Sequence, residues 1–266
     1  MKSVKLLALN TAGYLLARKT IYVLFFIALI VLLASGADLY NIFNSDASTD
    51  PKALLSQQAN ILSRMFSSWA ALTTLASIIA AAAVVYADIK SKIVLGILAK
   101  PVSRWQYLLG KWTGVLLFFY GFLAVGLAIV MIFMLFWDIP ITSVFLTGTF
   151  YQVINMTVHS TIAFTLSLFI APVLAGGIGF VFFAFGGLFE QLMGASMWWA
   201  SLLGSFLYYV QPAIINESLL QKGILNSLLD PNFSLYWSVI LENILYASII
   251  FFAAVLFFQK RDIVDS

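Results

Sequence analysis

Long apolar runs alternate with short polar punctuation along this chain. Runs at about 20–37, 65–87, 107–137, 151–170, 173–189 and 239–258 are each long enough for a helical crossing or close to it. A bilayer core about 30 Å thick needs roughly 20 apolar residues in a helix. The pattern therefore predicts an all-α integral membrane protein with six transmembrane helices, organised as a single membrane domain over 1–266. The third run exceeds what a crossing needs, so its helix is expected to tilt or project. Residues 1–19 set Lys2, Lys5, Arg18 and Lys19 around several leucines and read as an N-terminal interfacial helix. A cleaved signal peptide is the alternative for the first run, because small residues (Ala34, Ser35, Gly36, Ala37) lie at its end. The long structured segment before that run argues against it.

The polar interruptions set the rest. Residues 38–64 read as a loop followed by a short helix. Pro172 with Gly176, Gly177 and Gly179 reads as a tight turn between the fourth and fifth runs. Residues 193–210 are apolar and aromatic, but Gln211, Pro212, Asn216 and Glu217 follow at once, so a seventh crossing and a re-entrant hairpin both fit. Charge decides between them. Lys2, Lys5, Arg18, Lys19, Lys90, Lys92, Lys100, Arg104, Lys111, Lys260 and Arg261 hold most of the 14 basic residues. By the positive-inside rule these segments, with both termini, are cytoplasmic. That requires an even number of crossings and makes 190–236 an outer, re-entrant segment.

Composition adds bounds. The chain is 62% hydrophobic and 9% charged, against about a quarter charged in a soluble domain. With no cysteine there is no thiolate or disulfide chemistry. No basic tract with interleaved aromatics points to nucleic acid. No Gly-Lys-Ser/Thr follows the glycine pairs at 176–177 and 186–187, so these read as packing or hinge residues and not as a phosphate loop. The single histidine, His159, has no nearby acid or cysteine to form a metal or catalytic set, and a helix–helix hydrogen bond is its expected role. Glu190 and Glu242 lie at run ends, where either an interfacial position or a transport role fits. Trp198, Trp199, Tyr208 and Tyr209 fit an aromatic belt or a substrate gate. No enzyme, metal or cofactor site is expected.

The stretch 88–111, DIKSKIVLGILAKPVSRWQYLLGK, carries most of the functional signal. Ile93, Val94, Ile97 and Leu98 share one helical face. Asp88 precedes Lys92 by four residues, the favourable order for a helix-surface pair. Pro101 disfavours helix at Lys100, and Ser103 with Gln106 restarts one as a capping box. Arg104 in the first turn opposes the helix dipole, so a lipid headgroup or a partner is expected to favour it there.

Asp88, Leu95, Leu98, Lys100, Pro101, Val102, Ser103, Arg104, Leu109, Gly110 and Lys111, together with the ending Gln259, Lys260, Arg261 and Asp262, resemble the permease subunits of ATP-binding-cassette transporters of the type-2 exporter family. Two departures stand out: Lys92 and Ile93 replace a common Gly-Thr, and Asn10 replaces an acid of the first helix. The resemblance implies a transmembrane subunit in a bacterial or archaeal cytoplasmic membrane. It would pair with a second permease copy and two separate ATPase subunits. The cytoplasmic coupling helix at 88–104 would touch the ATPase through Asp88, Lys92, Ile93, Ile97, Leu98, Lys100, Pro101 and Arg104. A membrane anchor or force-transmitting subunit of an envelope complex, using the same kind of ATPase, is the competing function.

Overall fold

The computed structural model describes residues 2–19, 22–23, 25–31, 33–34, 51–99, 102–136, 143–210 and 237–260. The loop expected at 38–50, Lys100, Pro101, the outer segment from 211 to 236 and the basic ending from Arg261 lie outside the described residues. Every regular element among the described residues is helical. In chain order, α1 is Lys2–Leu16, α2 Pro51–Lys90, α3 Ile93–Leu98, α4 Arg104–Phe136, α5 Ser143–Leu166, α6 Pro172–Met193, α7 Trp198–Val210 and α8 Trp237–Lys260. Arg64–Lys90 of α2, all of α4 and Ile240–Lys260 of α8 are long and apolar enough to cross a membrane. Large apolar side chains such as Ile132, Phe136 and Val173 face outward on this bundle, as they do where the surrounding solvent is lipid.

The expected loop-plus-short-helix before the second run is partly corrected. From Pro51 onward, α2 is one unbroken helix of 40 residues, about 60 Å long. Pro51 stands at its first position, where the missing N–H costs nothing, and no later residue of α2 is a breaker. The expected turn at Pro172 is also displaced. The chain turns at 167–171, with Ile170 N–H donating to the Leu166 carbonyl at 3.0 Å. Pro172 then opens α6 as a first-turn proline, and Gly176, Gly177 and Gly179 lie inside that helix. A Cβ on Gly179 would stand 3.0 Å from Ile78 and 3.2 Å from Ala163, so the missing side chain lets α6 approach α2 and α5.

At the centre lies α5, packed against α2, α4, α6 and α8. Its buried face carries Gln152, Asn155, His159, Ser160 and Thr161. Gln152 Nε2 donates to Ala70 O at 3.1 Å and Thr74 Oγ1 at 2.8 Å. The Ser160 and Ser77 hydroxyls are 2.7 Å apart. Trp112 Nε1 donates to Thr161 Oγ1 at 3.0 Å. In an apolar surround such groups must find partners within the protein, and here they tie the central helix to α2 and α4. Ala76, Ala80, Ala81 and Ala82 of α2 are buried in this chain's own core, while Ile79 and Ala83 stay exposed.

After a turn at 194–197, α7 folds back on the end of α6, where Ser201 Oγ donates to Met193 O at 2.8 Å. Its 13 residues reach about 20 Å, short of the roughly 30 Å hydrocarbon core.

Candidate functional site

The C-terminal ends of α2 and α8 and the start of α4 meet at one end of the bundle. Leu15 of α1, Val85 of α2, Val94 of α3, Tyr107 and Leu108 of α4 and Phe258 of α8 are buried in one apolar cluster. Around it the polar residues of the 88–111 stretch find their partners.

Asp88 belongs to the last turn of α2 and not to a separate surface helix. That helix runs on to Lys90 because nothing before it stops the hydrogen-bond ladder. It then ends in a turn, with Ser91 N–H donating to Ala87 O and Lys92 N–H to Ile89 O, both at 3.1 Å. Lys92 has φ 56°, the left-handed conformation that glycine adopts most easily. This turn breaks the helical register between Asp88 and Lys92, so the expected pair between them does not form. Asp88 Oδ2 instead lies 2.6 Å from Lys111 Nζ, with Asp88 and Lys111 side chains 13% and 8% exposed. Tyr107 donates to the same oxygen at 2.8 Å. Tyr107 and Lys111 are four residues apart and share one face of α4. A carboxylate at a helix C-terminus is unfavourable by itself, and these two donors offset that.

The helix restart follows the expected capping pattern. Ser103 N–H donates to Gln106 Oε1 at 3.2 Å, and α4 begins at Arg104. Arg104 finds partners within the chain. Its Nη1 donates to Phe258 O at 3.2 Å and Gln259 O at 3.0 Å. A cation at the C-terminal carbonyls of α8 is favourable for both the hydrogen bonds and the dipole. Tyr107 stacks on Phe258 beneath it, with ring centroids 6.0 Å apart. Arg104→Glu would set a carboxylate against those carbonyls. It is expected to loosen the end of α8, read as faster amide hydrogen exchange over 250–260, in the isolated chain and without any partner.

The face expected on the coupling helix divides. Val94 is fully buried, Ile97 is half-buried, and Ile93 is 53% exposed. Only six residues make α3, and it is turned so that Val94 meets the core while Ile93, at the edge of the same apolar arc, faces away. Lys92 is exposed. The Leu98 side chain, Lys100 and Pro101 lie outside the described residues. So α3 is pinned at Val94 and presents Lys92 and Ile93 outward.

Alongside, α1 follows the first turns of α4. A Cβ on Gly110 would meet Leu7 Cβ at 2.5 Å, and one on Gly114 would meet Ala8 O and Thr11 Cβ at 2.6 Å. The glycines permit backbone contact, and Ala8, Thr11 and Leu15 are buried while Leu6, Leu9 and Leu16 face out. These outward leucines suit a helix lying against lipid.

The other candidates disperse. His159 is buried, but its Nδ1 bonds to Asn155 O at 2.9 Å on its own helix. Toward the neighbouring α6 it hydrogen-bonds with the Phe182 backbone, in keeping with the expected helix–helix role, and meets the edge of Phe183 with centroids 5.5 Å apart. Trp198 and Trp199 are exposed at the start of α7. Tyr208 and Tyr209 stand at the far end of that helix, about 15 Å along it. The side chains of Tyr208 and Tyr209, like that of Glu190, lie outside the described residues. Glu242 is exposed on α8. Sequence reading missed the role of Tyr107, whose four-residue spacing from Lys111 was the available signal, and the polar seam of α5, whose apolar surroundings concealed it.

No protein-family model matches this chain, and no curated protein matches it.

Proposed function

We propose that the chain is the transmembrane subunit of an ATP-driven exporter and that α3 is its contact with a separate ATPase. The observation that carries this reading is the convergence of three helix ends on one short, partly exposed helix. Asp88 binds α2 to α4, Arg104 binds α4 to α8, and α3 packs on the end of α2 with Val94 buried in the apolar cluster that the three share. A force on Ile93 and Lys92 would thus reach several helices at once, which a solvated loop could not achieve. Lys92 adds support: where the resembled permeases often have glycine, this residue holds a glycine-like backbone. In this reading the end bearing α3 is cytoplasmic, with both termini. Six helices cross, and α7 enters the outer half of the bilayer and returns. Two copies of the chain, or this chain and a similar one, assemble with two ATPase subunits.

The test is purification of the tagged chain from its native membranes, with mass spectrometry of what accompanies it and an assay of ATP hydrolysis. An ATP-binding-cassette ATPase in a two-to-two complex is the expected result. Ile93→Asp should remove the ATPase while leaving the membrane chain inserted, because Ile93 is exposed and outside every crossing helix. A chain that purifies without an ATP-hydrolysing subunit would overturn the proposal. In liposomes, hydrolysis that no cargo stimulates would favour the envelope-anchor function.

A further inference from the structure

Two hollows lie next to each other on the outward surface, the first between α2 and α6 and the second between the end of α2 and the 167–171 turn. The first, about 480 Å³, is lined by apolar residues alone, among them Ile79, Ala83, Val173, Gly176, Gly177 and Phe180. The second, about 390 Å³, is lined by Tyr86, Lys90, Ser167, Phe169 and Ala171 among others. They adjoin end to end: Ala171 of one precedes Pro172 of the other, and Ala83 lies about one helical turn from Tyr86. The furrow exists because two successive residues of α6, Gly176 and Gly177, have no side chains to fill it. From Leu75 to Lys90 it follows α2 for about 22 Å, the depth of one leaflet including its headgroup layer.

Its two ends differ in chemistry. The mid-membrane end is wholly apolar. The headgroup end carries the exposed Lys90 at the terminus of a membrane-crossing helix. The nearest acid along the helix, Asp88, is already held by Lys111 and Tyr107. No described acid pairs with Lys90. Tyr86, 38% exposed, stands one turn below, the depth at which amphipathic rings meet headgroups.

We propose that this furrow is a binding site for a single anionic phospholipid. One acyl chain would lie along Gly176 and Gly177, and the phosphate would be at Lys90. Charge favours lipid over a second copy of the chain. A two-fold contact centred on the furrow would bring one Lys90 against the other, whereas an anionic headgroup neutralises it. The site is independent of the transport reading and needs no ATPase.

The test is photo-crosslinking of the full chain in nanodiscs with phosphatidylglycerol or phosphatidylcholine bearing a diazirine in one acyl chain, followed by peptide mapping. Phosphatidylglycerol should label residues 75–90 and 171–180 about fivefold more than phosphatidylcholine, the preference that one lysine near a headgroup supplies. Lys90→Gln should bring the ratio close to one. Nothing lies within 4 Å of a Cβ placed on Gly177, so Gly177→Phe should fill the furrow without disturbing the fold. It should abolish labelling by both lipids at an unchanged thermal midpoint. Equal labelling by the two lipids would overturn the proposal, and so would a ratio that Lys90→Gln leaves unaltered. Chain-to-chain crosslinks at these residues in place of lipid would overturn it as well.

Discussion

Lys111→Met is expected to destabilise the protein by about 3–5 kcal/mol, because it leaves the Asp88 carboxylate buried without its counter-charge. The pair is a contact between helices, 2.6 Å long and largely shielded. Both charges were taken from water to make it, so the cost of removing one partner is mostly the stranded charge. Combining Lys111→Met with Asp88→Asn should recover much of the loss. The asparagine carries no charge yet keeps an oxygen for the Tyr107 hydroxyl. Tyr107→Phe alone should cost less, about 1.5–3 kcal/mol for a hydrogen bond to a charged group. Thermal unfolding in detergent, read by circular dichroism, checks the order. If Lys111→Met unfolded at the native midpoint, the pair would be solvated and could not tie α2 to α4. In the exporter reading, the double variant has a further use: stable but untied, it should hydrolyse ATP in its complex with weaker coupling to cargo.

Gly126→Ala is expected to cost about 3 kcal/mol through overpacking, a large effect for one methyl group. A Cβ at 126 would fall on the indole of Trp69. Trp69 is fully buried and cannot retreat easily. It stacks on Phe122 at 5.0 Å, meets Phe25 edge-on at 5.9 Å, and its Nε1 donates to Phe122 O at 3.2 Å. Moving the ring would break all three contacts. Trp69→Leu removes the ring and its hydrogen bond and should be destabilising alone. The double variant should nevertheless lose less than the sum, since the added methyl group then has room. Strict additivity of the two in thermal unfolding would show that the clash is not what makes glycine necessary at 126.

How much of this was legible beforehand follows from the range of each interaction. The start of α4 was readable because Ser103, Arg104 and Gln106 lie within four residues and a cap is a local bond. The apolar crossing length of α4 was readable for the same reason. The end of α2 was misplaced by a few residues, because Asp88 and Lys92 look like a helix pair until the backbone turns left-handed at Lys92. Pro172 looked like a turn because proline punctuates both turns and first helical positions, and local sequence does not separate them. The role of Arg104 was half legible. Its conflict with the helix dipole signalled a missing partner, but the partner carbonyls are more than 150 residues away, at |i−j| of 154 and 155.

Taken alone, the sequence determined that this is a helical membrane protein, because hydropathy and helical length are sums over neighbouring residues. It also determined where charge collects, because the basic residues are concentrated in a few short segments. Only the tertiary structure decided what those charges hold. Asp88 chose Lys111 over Lys92, and Arg104 chose the end of α8. It alone set the polar α5 at the centre of the bundle and left a furrow open beside Gly176 and Gly177. Partner choice depends on which helix ends are brought together, and in an apolar medium a polar group must take whatever partner the packing supplies.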